Sequence, residues 1–151
     1  MNQCYYILLH GILQSAGYKV VWMVDPTWYL DNIDEPWQNL WDIDICEGLS
    51  EAQCRLVIGG GGAMWGEHVD ASNIQPTIWP RLATIAEALW SPPVSARRSG
   101  RSKTWDERLA IERARLKSMR CLLNRRGVAA APVDNQQARA PPPGPGACMA
   151  Q

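Results

Sequence analysis

Residues 59–70 read GGGGAMWGEHVD, four consecutive glycines followed by Trp65 and Glu67. Residues 28–31 read WYLD, an aromatic pair closed by an acid, Asp31. A glycine run before charged residues first suggests a phosphate loop. The P-loop pattern needs Lys and Ser/Thr after its last glycine, and here Glu67 and His68 follow Gly66. A carboxylate in the lysine position repels phosphate. The dinucleotide pattern fails as well, because Met64 stands where its third glycine belongs. The remaining chemistry is an indole face beside a carboxylate, occurring twice. An indole covers the apolar C–H face of a sugar ring, and a carboxylate accepts hydrogen bonds from its hydroxyls. The bland reading of each tryptophan, core bulk, stands beside this one.

These residues need a scaffold. Residues 19–25 (KVVWMVD) and 55–65 (RLVIGGGGAMW) are apolar and β-branched, which predicts strands buried on both faces. Both chemical clusters then sit at strand C-terminal ends, where barrels of alternating strands and helices carry their active sites. Glycine there permits close approach of a backbone or ligand. Between the strands, an acidic, proline-broken loop is followed by a single helical turn over residues 50–55. Residues 79–90 form a helix with Pro80 in its first turn and Leu82, Ile85, Ala86 and Leu89 on one face. Thr104 and Glu107 form a capping box that opens a second helix, which carries Leu109, Leu116, Met119 and Leu123 and closes at Gly127. Residues 2–16 are compatible with a further helix. The alternation predicts an α/β fold with a parallel sheet and helical crossovers. Two strands cannot complete such a sheet.

The chain has 151 residues, 46% hydrophobic and 20% charged, which fits one globular domain rather than disorder. Its net charge of zero hides an asymmetry: eight acids and no Lys or Arg between Asp25 and Glu51, then eleven bases against three acids between Arg97 and Arg126. The basic stretch reads as a solvated helix face rather than a nucleic-acid surface. Its nucleic-acid reading defines a separate class, an interaction protein acting through a basic helix. Cys4, Cys46, Cys54, Cys121 and Cys148 include no CxxC pair, which leaves zinc-ribbon and thioredoxin-like chemistry unsupported. The N-terminus lacks a basic n-region and a small-residue cleavage site, so no signal peptide is expected, and no apolar run reaches membrane-spanning length.

The segments WYLD (28–31), IGG…MWGEHVDAS (58–72), TIWPR (77–81), AEALW (86–90) and RCLLNRRGVAAAPVDN (120–135) resemble, in order and spacing, the C-terminal part of the beta-N-acetylhexosaminidase family of glycoside hydrolases, in its plant-like branch. The resemblance implies the last two strands and helices of a (β/α)8 TIM barrel over residues 1–131, with an extended proline-rich tail over 132–151. It implies that Tyr29 positions the acetamido oxygen and that Trp28, Asp31, Trp65 and Glu67 bind the sugar, with Trp65 as its floor. It implies substrate-assisted hydrolysis of terminal N-acetylglucosamine or N-acetylgalactosamine with retention, an exception to the two-carboxylate scheme. No cofactor or metal is implied, nor a nucleic-acid or membrane partner. The implied partners are N-acetylhexosamine-terminated glycans and a second copy joined through barrel helices. The implied location is lysosomal, vacuolar or extracellular, and Cys121 is expected to pair with Cys148. The family's catalytic Asp-Glu pair lies in an H-x-G-G-D-E context that this sequence lacks, and Gly61 stands where the family usually has Glu. The chain is therefore expected to carry substrate-subsite residues without the acid, and to be inactive alone. The alternative is a non-catalytic sugar- or partner-binding remnant.

Overall fold

The computed structural model describes residues 15–23, 26–91 and 104–135. The proposed helix over residues 2–16 and the basic linker before Thr104 fall almost wholly outside these. Two short strands, β1 (Val20–Trp22) and β2 (Val57–Gly60), pair in parallel. Among the described residues there are five helices: α1 (Trp37–Trp41), α2 (Glu51–Cys54), α3 (Ile74–Ile78), α4 (Arg81–Trp90) and α5 (Trp105–Arg125).

The register slips between Val20 and Val21. Val20 faces Val57 but Val21 faces Gly59, so Ile58 is an extra residue on β2, a β-bulge. The bulge resets which β2 residues point toward the helices. Val20 and Trp22 turn into the core, whereas Val21 between them is 59% exposed. The strands are therefore not buried on both faces, as their sequences suggest. Among the described residues the helices cover one face only, and Val21, Met23 and Ile58 remain exposed.

The main core joins Trp22, Trp28, Leu30, Leu40 and Ile85. The indole N–H of Trp28 donates to the Leu40 carbonyl at 2.9 Å, so the ring is satisfied inside the core. A second cluster joins Trp37 of α1, Leu116 of α5 and Val133. Val133 and the ion pairs of Asp134 with Arg113 and Lys117 belong to this packed unit, which therefore extends past residue 131. On α4 the buried residues are Arg81, Thr84 and Ile85, while Ala86 is exposed, contrary to the expected apolar face.

The Thr104–Glu107 capping box forms with both of its bonds, and Gly127 follows α5 at φ 81°. A second capping box, Ser50 with Gln53, opens α2. Cys46 and Cys54 are joined by a disulfide, 5.3 Å between Cα atoms, which ties the loop after α1 to α2. Closing a loop this short contributes about 2.5 kcal/mol by chain entropy. The basic face of α5 is not wholly solvated, since Glu112 and Arg120 are buried. Arg120 donates to the Ala130 carbonyl at 3.1 Å, and burial pushes its guanidinium below the ordinary arginine range.

Two of the four glycines are packing devices. A Cβ on Gly60 would lie 2.5 Å from the Trp22 carbonyl oxygen and 2.9 Å from the Trp28 ring. One on Gly62 would lie 2.8 Å from the Ile85 side chain. Around Gly66 nothing lies within 4 Å. We expect Gly60→Ala to cost about 1–3 kcal/mol through overpacking, and Gly66→Ala to stay within about 0.5 kcal/mol. Urea-unfolding midpoints of the two variants check this, and equal midpoints contradict the packing role.

Candidate functional site

After β1 the chain leaves the sheet and returns beside the end of β2. Tyr29 pairs with Ala63 in a parallel bridge. The Leu30 amide donates to the Ala63 carbonyl at 2.7 Å, and the Ala63 amide donates to the Trp28 carbonyl at 3.0 Å. This pairing sets WYLD alongside the glycine run, two residues before Trp65. The structure thus brings the two sequence-predicted clusters to the same sheet end.

Their side chains divide. Trp28 is 1% exposed and sits beneath Gly60, so it offers no face to a ligand, and the expectation that it touches sugar is corrected. Packing under a glycine strand, rather than ligand stacking, decides its orientation. Tyr29 is half-buried. Trp65 is 60% exposed, and Glu67 is exposed with no ion pair among the described residues. The Asp31 side chain is 11% exposed, and its Oδ2 lies 3.8 Å from Nε2 of the exposed His68.

Arg81, the first residue of α4, holds this loop from beneath. The residue is 4% exposed. It donates to the carbonyls of Asn32 at 2.7 Å, Thr77 at 2.8 Å, and Leu30. Leu30 and Asn32 flank Asp31, so the backbone on both sides of that carboxylate is fixed. The loop after Glu67 is self-braced. The Asp70 amide donates to Asn73 Oδ1 at 2.8 Å, and Asn73 Nδ2 donates to the His68 carbonyl at 3.0 Å. The Ser72 hydroxyl and amide donate to the Asp70 carboxylate at 2.5 and 2.7 Å, and these bonds hold its carboxyl below the ordinary range.

Sequence reasoning missed Arg81, His68 and the Cys46–Cys54 bridge. Arg81 follows a tryptophan–proline pair at a helix start, a position that marks a helix N-terminus but says nothing about burial. A groove of about 680 Å³ between α4 and α5, lined by Ile111, Leu116, Met119 and Leu122 among others, touches none of the predicted site residues. Its wall charges Glu87 and Arg115 are paired with each other, and Glu87 raises the Arg115 guanidinium pKa further. No three His, Cys, Asp or Glu side chains among the described residues group as a metal site. No described helix is long and apolar enough to cross a membrane.

The parallel α/β unit sets an exposed indole, Trp65, and the carboxylates Asp31 and Glu67 near its strand ends. Residues 10–93 match the model of Glycosyl hydrolase family 20, catalytic domain, and the chain belongs to that family. It is 42% identical over 148 residues to Beta-hexosaminidase 1 of Arabidopsis thaliana, covering 95% of this chain and 26% of that protein. It is 41% identical over 138 residues to Beta-hexosaminidase 3 of the same plant, covering 91% and 24%. It is 36% identical over 137 residues to the Beta-hexosaminidase subunit beta of Felis catus, covering 87% and 23%. The chain thus spans about a quarter of the length of the curated relatives it matches.

Replacing Arg81 by Met leaves buried carbonyls without a donor. Bonds from charged donors contribute about 1.5–3 kcal/mol each, so Arg81→Met is expected to lose at least about 3 kcal/mol. Amide exchange at Leu30–Asn32 should accelerate as much as the fold as a whole. Unchanged protection at these amides contradicts the clamp.

Proposed function

We propose that this chain forms the sugar-recognition part of a beta-N-acetylhexosaminidase. In this reading β1 and β2 are the last two strands of a (β/α)8 barrel. Trp65 is the floor under a terminal N-acetylglucosamine or N-acetylgalactosamine, and Asp31 and Glu67 accept its hydroxyls. Tyr29 holds the acetamido oxygen that attacks the anomeric carbon in a substrate-assisted, retaining hydrolysis. The observation that carries the reading is the pairing of residues 28–30 with Ala63, which sets the Tyr29–Asp31 loop beside the exposed Trp65 and Glu67. Trp28 supports the site from the core. The glycans recognised are those of lysosomal, vacuolar or extracellular conjugates, and a completed barrel pairs with a second copy through its helices.

The chain alone is expected to bind N-acetylglucosamine and not to hydrolyse aryl N-acetylglucosaminides. The acid and the carboxylate that steadies the oxazolinium-type intermediate have no counterpart in its sequence, and each decade of rate corresponds to about 1.4 kcal/mol of barrier. Trp65→Ala should weaken binding about three- to tenfold, the contribution of one aromatic face. Calorimetric titration with the monosaccharide measures both statements. Absence of binding by the unaltered chain, or equal affinity of Trp65→Ala, overturns the site. Turnover matching an intact relative overturns the division between recognition and catalysis.

Cys121 is disulfide-bonded, while Cys148 lies outside the described residues. We assign Cys148 as its partner, so that the bridge closes a loop worth roughly 3–4 kcal/mol of chain entropy. Peptide mapping without reductant should recover the two cysteines in one linked species. Recovery of Cys121 linked to Cys4 instead refutes the pairing.

A further inference from the structure

We propose that His68 is a positioning residue that sets the Asp31 carboxylate for a sugar hydroxyl through its charge. The inference rests on the reading of Asp31 as a sugar ligand given above. His68 follows Glu67 on the loop after β2, whereas Asp31 belongs to the loop after β1. Their 3.8 Å approach, an ion pair when the imidazole is protonated, links these loops across the mouth of the site. At that separation the contact is too long for a hydrogen bond, so it acts through the charge of the protonated imidazole. It engages Oδ2 of Asp31.

The neighbouring groups favour this partner. Asp70, two residues along, is occupied by the amide and hydroxyl of Ser72. Glu67, next to His68 in the chain, is exposed and turned to solvent. The Asp31 side chain is mostly covered, at 11% exposed, and therefore less screened than either. The carbonyl of His68 is held by Asn73, so the imidazole projects from a fixed backbone rather than from a free loop. Arg81 fixes the backbone on both sides of Asp31 and leaves the side-chain torsions as its remaining freedom. A cation on the opposite loop restricts those torsions before a ligand arrives, which lowers the ordering cost of binding. His68 itself is 77% exposed, so its replacement leaves the core intact.

The test is calorimetric titration of N-acetylglucosamine at pH 5.5, where an ordinary imidazole is cationic. The proteins are the unaltered chain, His68→Gln, His68→Arg, Asp31→Asn, and the double variant of His68→Gln with Asp31→Asn. His68→Gln should weaken binding about two- to fivefold, and His68→Arg, which keeps the cation, should restore it. In the Asp31→Asn background His68→Gln should change nothing further. Raising the salt to about 0.5 M should erase the difference between His68→Gln and the unaltered chain. An unchanged affinity in His68→Gln overturns the proposal, as does an equal loss in both backgrounds. Failure of the unaltered chain to bind refutes the sugar-site reading itself, and this role falls with it. Binding by the unaltered chain with no His68 dependence refutes this role alone.

Discussion

One buried guanidinium holds the loop after β1 to the starts and ends of the neighbouring helices. Burying an arginine is costly, and the cost is offset only where its donors find acceptors with good geometry. Arg81 finds carbonyls on two separate segments: Leu30 and Asn32 after β1, and Thr77 in α3. It belongs to a third, the first turn of α4. The backbone around Asp31, the end of α3 and the start of α4 thus converge on a single charge. Hydrophobic burial holds the helices against β1 and β2 but has no direction. The arginine supplies the direction. A site built on loops needs that kind of support, because loop backbone lacks the regular ladder that fixes strands.

The glycine run complements the clamp from the other side. Gly60 and Gly62 remove side chains where β2 passes over Trp28, Leu30 and Ile85. The bulge at Ile58 determines that these glycines, and not their neighbours, face the core. The two strand ends therefore differ although their residue types are alike. In WYLD the indole is drawn under the glycines and its N–H is satisfied by Leu40. After the glycines the chain has left the sheet, and Trp65 stays in solvent. An aromatic followed by an acid is one pattern in sequence and two environments in space.

What the sequence revealed follows from how locally each feature is determined. The capping box at Thr104 and the end of α5 at Gly127 depend on short-range chemistry, and they form as read. Helix α1 was hidden because Pro36 reads as a break, although Pro36 occupies the N-cap of α1. The exposed face of β1 was hidden because KVVWMVD is apolar at every inner position, so no alternation marks which residues turn outward. Burial of Glu112 and Arg120 depends on tertiary contacts alone: Arg120 meets the Ala130 carbonyl only once residues 128–131 fold back, where Ala131 donates to Trp79 and Ala129 to Gln75. The candidate site residues were legible as types. Their division into solvent-facing and core-facing required the bulge and the glycine packing.

The uncovered face of the sheet bears on how firmly the site is held. Parallel strands are ordinarily covered on both faces, because their crossovers place helices there. Here Val21, Met23 and Ile58 meet solvent opposite Trp22 and Ile85. The strand ends carrying Tyr29 and Ala63 are continuous with that half-covered sheet, so their order depends on the covered side alone. Arg81 and the glycine packing both lie on that covered side. Among the described residues Arg81 is thus a polar anchor on the covered side, fixing the backbone on both sides of Asp31.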